Sequence, residues 1–173
     1  MRIIRMTVLS LLLAVYGLAC DGSPDRLTAG SMAYIKGDYK TALRKWRPLA
    51  EQGNADAQLN LSQLYRLGQG VPQDYKKAMK WYQKAAEQGN GIAQNNIGYM
   101  YGTGSGVPQD NVKAQMWFII AGASGDKNAI SNRDEVAEEM APAEIAESQT
   151  LAREWMEKHQ KGEVTPKGGV RMF

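Results

Sequence analysis

The apolar positions recur with a helical period through most of the chain. Ala57, Leu61, Leu64 and Tyr65 fall at i, i+4, i+7 and i+8, and Ala93, Ile97, Met100 and Tyr101 repeat that spacing, so each set makes one apolar stripe on a helix. A second pattern follows each stripe: Ala78, Trp81, Tyr82, Ala85 and Ala86, then Ala114, Trp117, Phe118 and Ala121. The spacing therefore predicts alternating helices that pack in pairs, small alanines letting them approach while aromatic rings fill the gaps.

The pairs are near-copies at a 36-residue offset. Gly68-Gln69-Gly70-Val71-Pro72-Gln73-Asp74 returns as Gly104-Ser105-Gly106-Val107-Pro108-Gln109-Asp110, and Glu51-Gln52-Gly53-Asn54 returns as Glu87-Gln88-Gly89-Asn90. Ala42, Ala78 and Ala114 keep the spacing, as do Trp46, Tyr82 and Phe118. Polar punctuation agrees. Asp38, Asp74 and Asp110 precede each second helix, where a carboxylate accepts from unpaired first-turn N–H groups and opposes the dipole. Gly53, Gly89 and Gly125 end those helices, and Asn54, Asn90 and Asp126 are placed to cap the next.

Ala-Gln, a Tyr eight positions after that Ala, Gly-x-Gly-Val-Pro-Gln-Asp, a Lys-Ala pair, Trp-Tyr or Trp-Phe and a final Gly together resemble the Sel-1-like repeat family, a branch of the tetratricopeptide superfamily with longer loops between helices. The resemblance is clear over residues 55–125 and looser over 27–159. It implies an all-α, right-handed solenoid of antiparallel helix pairs. The expected units are 25–53, 54–89 and 90–125, with a charged terminal pair at 126–160. An end unit lacks a neighbour over its outer side, so a more polar sequence suits it. In the first unit Tyr34-Ile35-Lys36-Gly37-Asp38 replaces the long loop, and Pro48 removes a helical hydrogen bond at a cost of about 3 kcal/mol unless the helix bends. Residues 161–173, with Gly162, Pro166, Gly168 and Gly169, read as an unstructured tail.

Residues 1–19 read as a signal peptide: an apolar run from Met6 to Leu18 preceded by Arg2 and Arg5 and followed by small residues. The run is shorter than the ~20 residues of an ordinary membrane span. Gly17-Leu18-Ala19-Cys20 resembles a bacterial lipoprotein signal, which implies acylation of Cys20, a tether at 20–24 and, through Asp21, retention at the inner membrane. That family places Leu where Gly17 stands here, and an ordinary signal peptidase would also accept Gly17 and Ala19. Either route predicts export to the periplasm.

Composition removes several functions. The formal charge of +3 falls to +1 once Arg2 and Arg5 are removed, too little excess for a nucleic-acid partner. One His and one Cys cannot supply a zinc finger, an iron–sulfur cluster or a disulfide framework, and no cofactor or metal is implied. Gly102-Thr103-Gly104-Ser105-Gly106 looks like a phosphate loop but lies between helices and is repeated from Gly68 and Gly70. Ser124-Gly125-Asp126-Lys127 has the Ser-x-x-Lys spacing of penicillin-recognising enzymes, without the Ser-Asp-Asn or Lys-Thr-Gly that accompany it. Cysteine-rich relatives linked to β-lactams make a cell-wall-directed binder or hydrolase the alternative function. His159 reads as a solvated helix-end residue, Trp81, Tyr82, Trp117 and Phe118 as core, and Lys76, Lys77, Lys80 and Lys84 as a solvated face.

What remains is a surface. Stacked helix pairs leave the first helices lining a concave face. Counting 100° per residue from Ala57, the direction opposite the stripe falls on Leu59, Gln63 and Arg66, and one repeat on at Asn95 and Tyr99, with Gly102 supplying no side chain. Exposed Leu and Tyr beside amides suit an extended peptide or partner helix; the same residues also fit an ordinary exposed face. The expected function is a non-catalytic protein–protein interaction scaffold of the bacterial envelope.

Overall fold

The computed structural model describes residues 25–160, so the expectations for residues 1–19, for Cys20 and the 20–24 tether, and for residues 161–173 lie outside the described residues. Among the described residues the chain is all-helical: α1 (Arg26–Ile35), α2 (Tyr39–Glu51), α3 (Ala55–Leu67), α4 (Tyr75–Ala86), α5 (Gly91–Thr103), α6 (Asn111–Ala123), α7 (Lys127–Ala137) and α8 (Pro142–Gln160). Successive helices pack on each other from α1 to α7, and this adjacency gives a solenoid of helix pairs.

Local chemistry sets the boundaries. Asp38, Asp74 and Asp110 each accept from the backbone N–H three residues on, at 3.0, 2.9 and 2.9 Å, and Asn54 and Asn90 do the same for α3 and α5 at 2.8 and 2.9 Å. Asp126 caps α7 by accepting from Asn128 and Ala129. α2 continues through Pro48 to Glu51, so the missing N–H falls near the end of the helix.

Two apolar clusters alternate along the stack. Ala33, Trp46, Ala50, Ala57, Leu61 and Leu64 join α1, α2 and α3. Leu59, Met79, Tyr82, Ile97, Met100, Trp117 and Ile120 join α3 to α6 and extend to Ala152 of α8. Burial at about 25 cal/mol per Å² of apolar surface is what fuses neighbouring pairs into one body.

The glycine loops contribute to that fusion. The loop after α3 lies over the start of α2, and the loop after α5 lies over the start of α4, bringing Gly70 against the Tyr39 backbone and Gly106 against Tyr75. These loops are devices for stacking one pair on the previous one, which accounts for their glycines without a phosphate.

The end of the chain departs from the expected terminal pair. Two helices form at 126–160, but α8 packs on α6, and its approach to α7 is slight. Its Ala152 is fully buried, and Trp155 meets Trp117 edge-on with ring centroids 5.3 Å apart. α7 carries a single fully buried residue, Ala129, and so offers α8 little apolar surface; the second helix of the third unit offers more.

Candidate protein-binding surface

The first helices of the two middle units, α3 and α5, are gripped from two sides. α3 touches α2 behind it and α4 beside it, so apolar residues occupy two faces instead of one stripe. Leu59, expected on the open face, is therefore buried at 8% exposure among Ala78, Met79 and Tyr82. That expectation is corrected. The equivalent Asn95 is half-buried and accepts from Asn132 Nδ2 at 2.9 Å, linking α5 to α7. Position 59 serves the packing of α3 on α4 within its own unit, and position 95 serves a contact between units.

Gln63 and Arg66 are half-buried at the surface. Arg66 Nε donates to the Tyr82 hydroxyl at 3.3 Å, which anchors the guanidinium to the core. Burial pushes that hydroxyl's pKa up, and the neighbouring Arg66 charge opposes the rise. Tyr99 is the most open of the five, 53% exposed.

Tyr99 stands over a cleft of about 220 Å³ between α5, the start of α6 and α7. Phe118 and Val136 give it apolar walls, Gly102 leaves room by having no side chain, and Glu135 and Glu139 place two carboxylates around it. Sequence reasoning reached Tyr99 and Gly102 but missed the α7 wall. The signal was available, since Glu135 lies 36 residues after Tyr99 and Tyr99 36 after Gln63. In the shortened first unit the same row begins at Met32, which is 48% exposed.

The catalytic-looking residues separate. Ser124 caps the C-terminus of α6 and Lys127 opens α7, with both side chains exposed. His159 is half-buried and not a freely solvated end residue. Its ring stacks on Trp155 with centroids 3.8 Å apart, and Nδ1 donates to the Trp155 carbonyl at 2.7 Å. Ser124 and His159 line one cleft, but no hydrogen bond joins them among the described residues, so the hydroxyl gains no base. No cluster of His, Cys, Asp and Glu suited to a metal occurs among the described residues. Tyr82, Trp117 and Phe118 are buried between helices, and Lys84 Nζ sits 4.6 Å from the centre of the half-buried Trp81 ring.

The Sel1 repeat matches residues 55–90 and 91–126, the two units built from α3 to α6 with their loops. Among solved structures, the chain is similar to a protective antigen present in uropathogenic Escherichia coli strains that displays an SLR fold. The identity is 26% and the TM-score 0.74, over 86% of this chain and 34% of the antigen. It is also similar to a Sel1 repeat protein from Oxalobacter formigenes, at 33% identity and a TM-score of 0.57 over 62% of this chain and 45% of that one. The chain thus spans less than half the length of either structure. No curated protein matches the sequence. Proteins built on this fold are typically non-catalytic scaffolds that mediate protein–protein interaction. With two matched repeats and the helix-pair stacking that they require, the chain carries Sel1 repeats over residues 55–126.

Proposed function

We propose that this chain is a non-catalytic interaction module of the bacterial cell envelope that holds a peptide or partner protein across the first helices. The observation that carries this reading is Tyr99, an exposed aromatic ring above a cleft walled by Phe118 and Val136 and flanked by Glu135 and Glu139. A ring of this kind gives contact area with few torsions to immobilise, and interface energy concentrates on such anchors. The carboxylates favour a partner with a basic residue next to its apolar one. The apolar leader and Cys20 support export and a lipid tether as the means of bringing the module to the membrane.

Crosslinking in intact cells followed by identification of captured proteins tests this. A Tyr99→Ala, Gln63→Ala double variant is expected to lose about tenfold or more in capture with an unchanged melting temperature, since neither side chain is in the core. Undiminished capture would exclude this face.

A further inference from the structure

Two equivalent glutamines meet different fates. Gln58 is 3% exposed; its Nε2 donates to the Ala50 carbonyl at 3.0 Å and its Oε1 accepts from Gln88 Nε2 at 2.8 Å, so both ends of the carboxamide are paired. One unit later Gln94 is 1% exposed, and its Nε2 donates to the Ala86 carbonyl at 3.0 Å in the same way. The residue 36 positions after Gln88 is Ser124, and Gln94 Oε1 has no hydrogen-bond partner. A buried acceptor without a donor has lost its water and gained nothing for it.

Where the missing glutamine would lie there is a cleft of about 260 Å³. Gln94 and Ser124 form part of its wall, and Ile120, Met156 and Trp155 form the apolar side. Its volume suits a single side chain better than a drug-sized ligand. The chemistry of the occupant is given by the chain itself, because in the preceding unit a neutral primary carboxamide completes the same glutamine. Such a group donates to Gln94 Oε1 and brings a carbonyl oxygen of its own, to which the Ser124 hydroxyl can donate. A guanidinium or ammonium could also donate to Gln94 Oε1 and would be drawn to Glu87 on the same lining, but it brings no carbonyl oxygen to accept from Ser124 and so completes only one of the two bonds.

We propose that this cleft receives the glutamine side chain of a partner peptide, which donates to Gln94 Oε1 as Gln88 donates to Gln58, while its methylenes lie against Ile120, Met156 and Trp155. This rests on the reading of the chain as a protein-binding scaffold, but it uses a surface apart from Tyr99. The Tyr99→Ala, Gln63→Ala variant should therefore bind the probe peptide normally, which keeps the two proposals separable.

The test is a titration of the full ¹⁵N-labelled chain with acetyl-Ala-Gln-Ala-N-methylamide, whose only primary carboxamide is the glutamine side chain, compared with the Glu and Met versions of the same peptide. The Gln peptide should shift the Gln94 side-chain amide and Ser124 resonances saturably and bind about tenfold more tightly than either comparator. Ser124→Gln, which copies the preceding unit, should abolish those shifts and melt at or above the parent temperature. Gln94→Met should bind the Gln and Met peptides equally. No saturable shift up to about 10 mM peptide, equal affinity of the parent for Gln and Met peptides, or full binding by a folded Ser124→Gln chain would each overturn the proposal. If Ser124→Gln fails to fold, the Gln94→Met comparison decides alone.

Discussion

Gly70 lies so near the start of α2 in the previous pair that a β-carbon there would stand 2.8 Å from the carbonyl oxygen of Tyr39. The glycine also has φ of +71°, a conformation that side chains resist. One residue thus meets two demands, a left-handed turn and a backbone-to-backbone approach between units. Gly70→Ala should cost about 2–4 kcal/mol, from backbone strain together with overpacking. Gly37, with φ of +77° and open space around it, isolates the first contribution, and Gly37→Ala should cost about 1–2 kcal/mol. Urea denaturation of both variants measures the difference; equal losses would mean that the approach to Tyr39 contributes nothing.

The buried hydroxyl of Ser148 in α8 donates to Gln115 Oε1 of α6, and both residues are buried. The position equivalent to Gln115 one unit earlier is Met79, which is apolar and buried at 5% exposure. Ser148→Ala alone should cost about 1–3 kcal/mol, because it strands the glutamine oxygen. Adding Gln115→Met should recover most of that loss, since an apolar pair of similar size leaves nothing unsatisfied. Thermal unfolding of the two single variants and the double variant gives the cycle, and a double variant as unstable as Ser148→Ala would contradict the argument.

Acid should loosen the helix starts. The N–H of Thr41 holds the Asp38 carboxyl below its usual pKa, and the N–H of Lys77 does the same for Asp74. Burial pushes the Asp110 carboxyl up, but hydrogen bonds from Lys113 outweigh it and leave the pKa lowered. A carboxylate with a lowered folded pKa stabilises the fold above the unfolded value and loses that contribution as pH falls through the folded one. Melting temperature should therefore decline from about pH 4 downward. An Asp38→Asn, Asp74→Asn, Asp110→Asn chain, which keeps a capping oxygen without a titrating charge, should show a shallower decline. Parallel curves for the two chains would assign the acid sensitivity to other groups.

The sequence by itself determined the helix pairs, their 36-residue period and the capping residues, because these rest on interactions within a few residues along the chain. Asp74 reaches Lys77, Asn90 reaches Ala93, and the spacing of such pairs is visible in one dimension. Tertiary structure decided which faces are open. A count of 100° per residue assumes one buried stripe, whereas α3 is enclosed by α2 and α4, so Leu59 turned inward while Tyr99 stayed out. It also decided that α8 covers α6 instead of α7, and that Ser124 in the place of a glutamine leaves Gln94 unanswered. Each of those outcomes depends on residues about thirty positions apart being brought together, and burial and hydrogen-bond satisfaction are properties of that meeting, not of either segment alone.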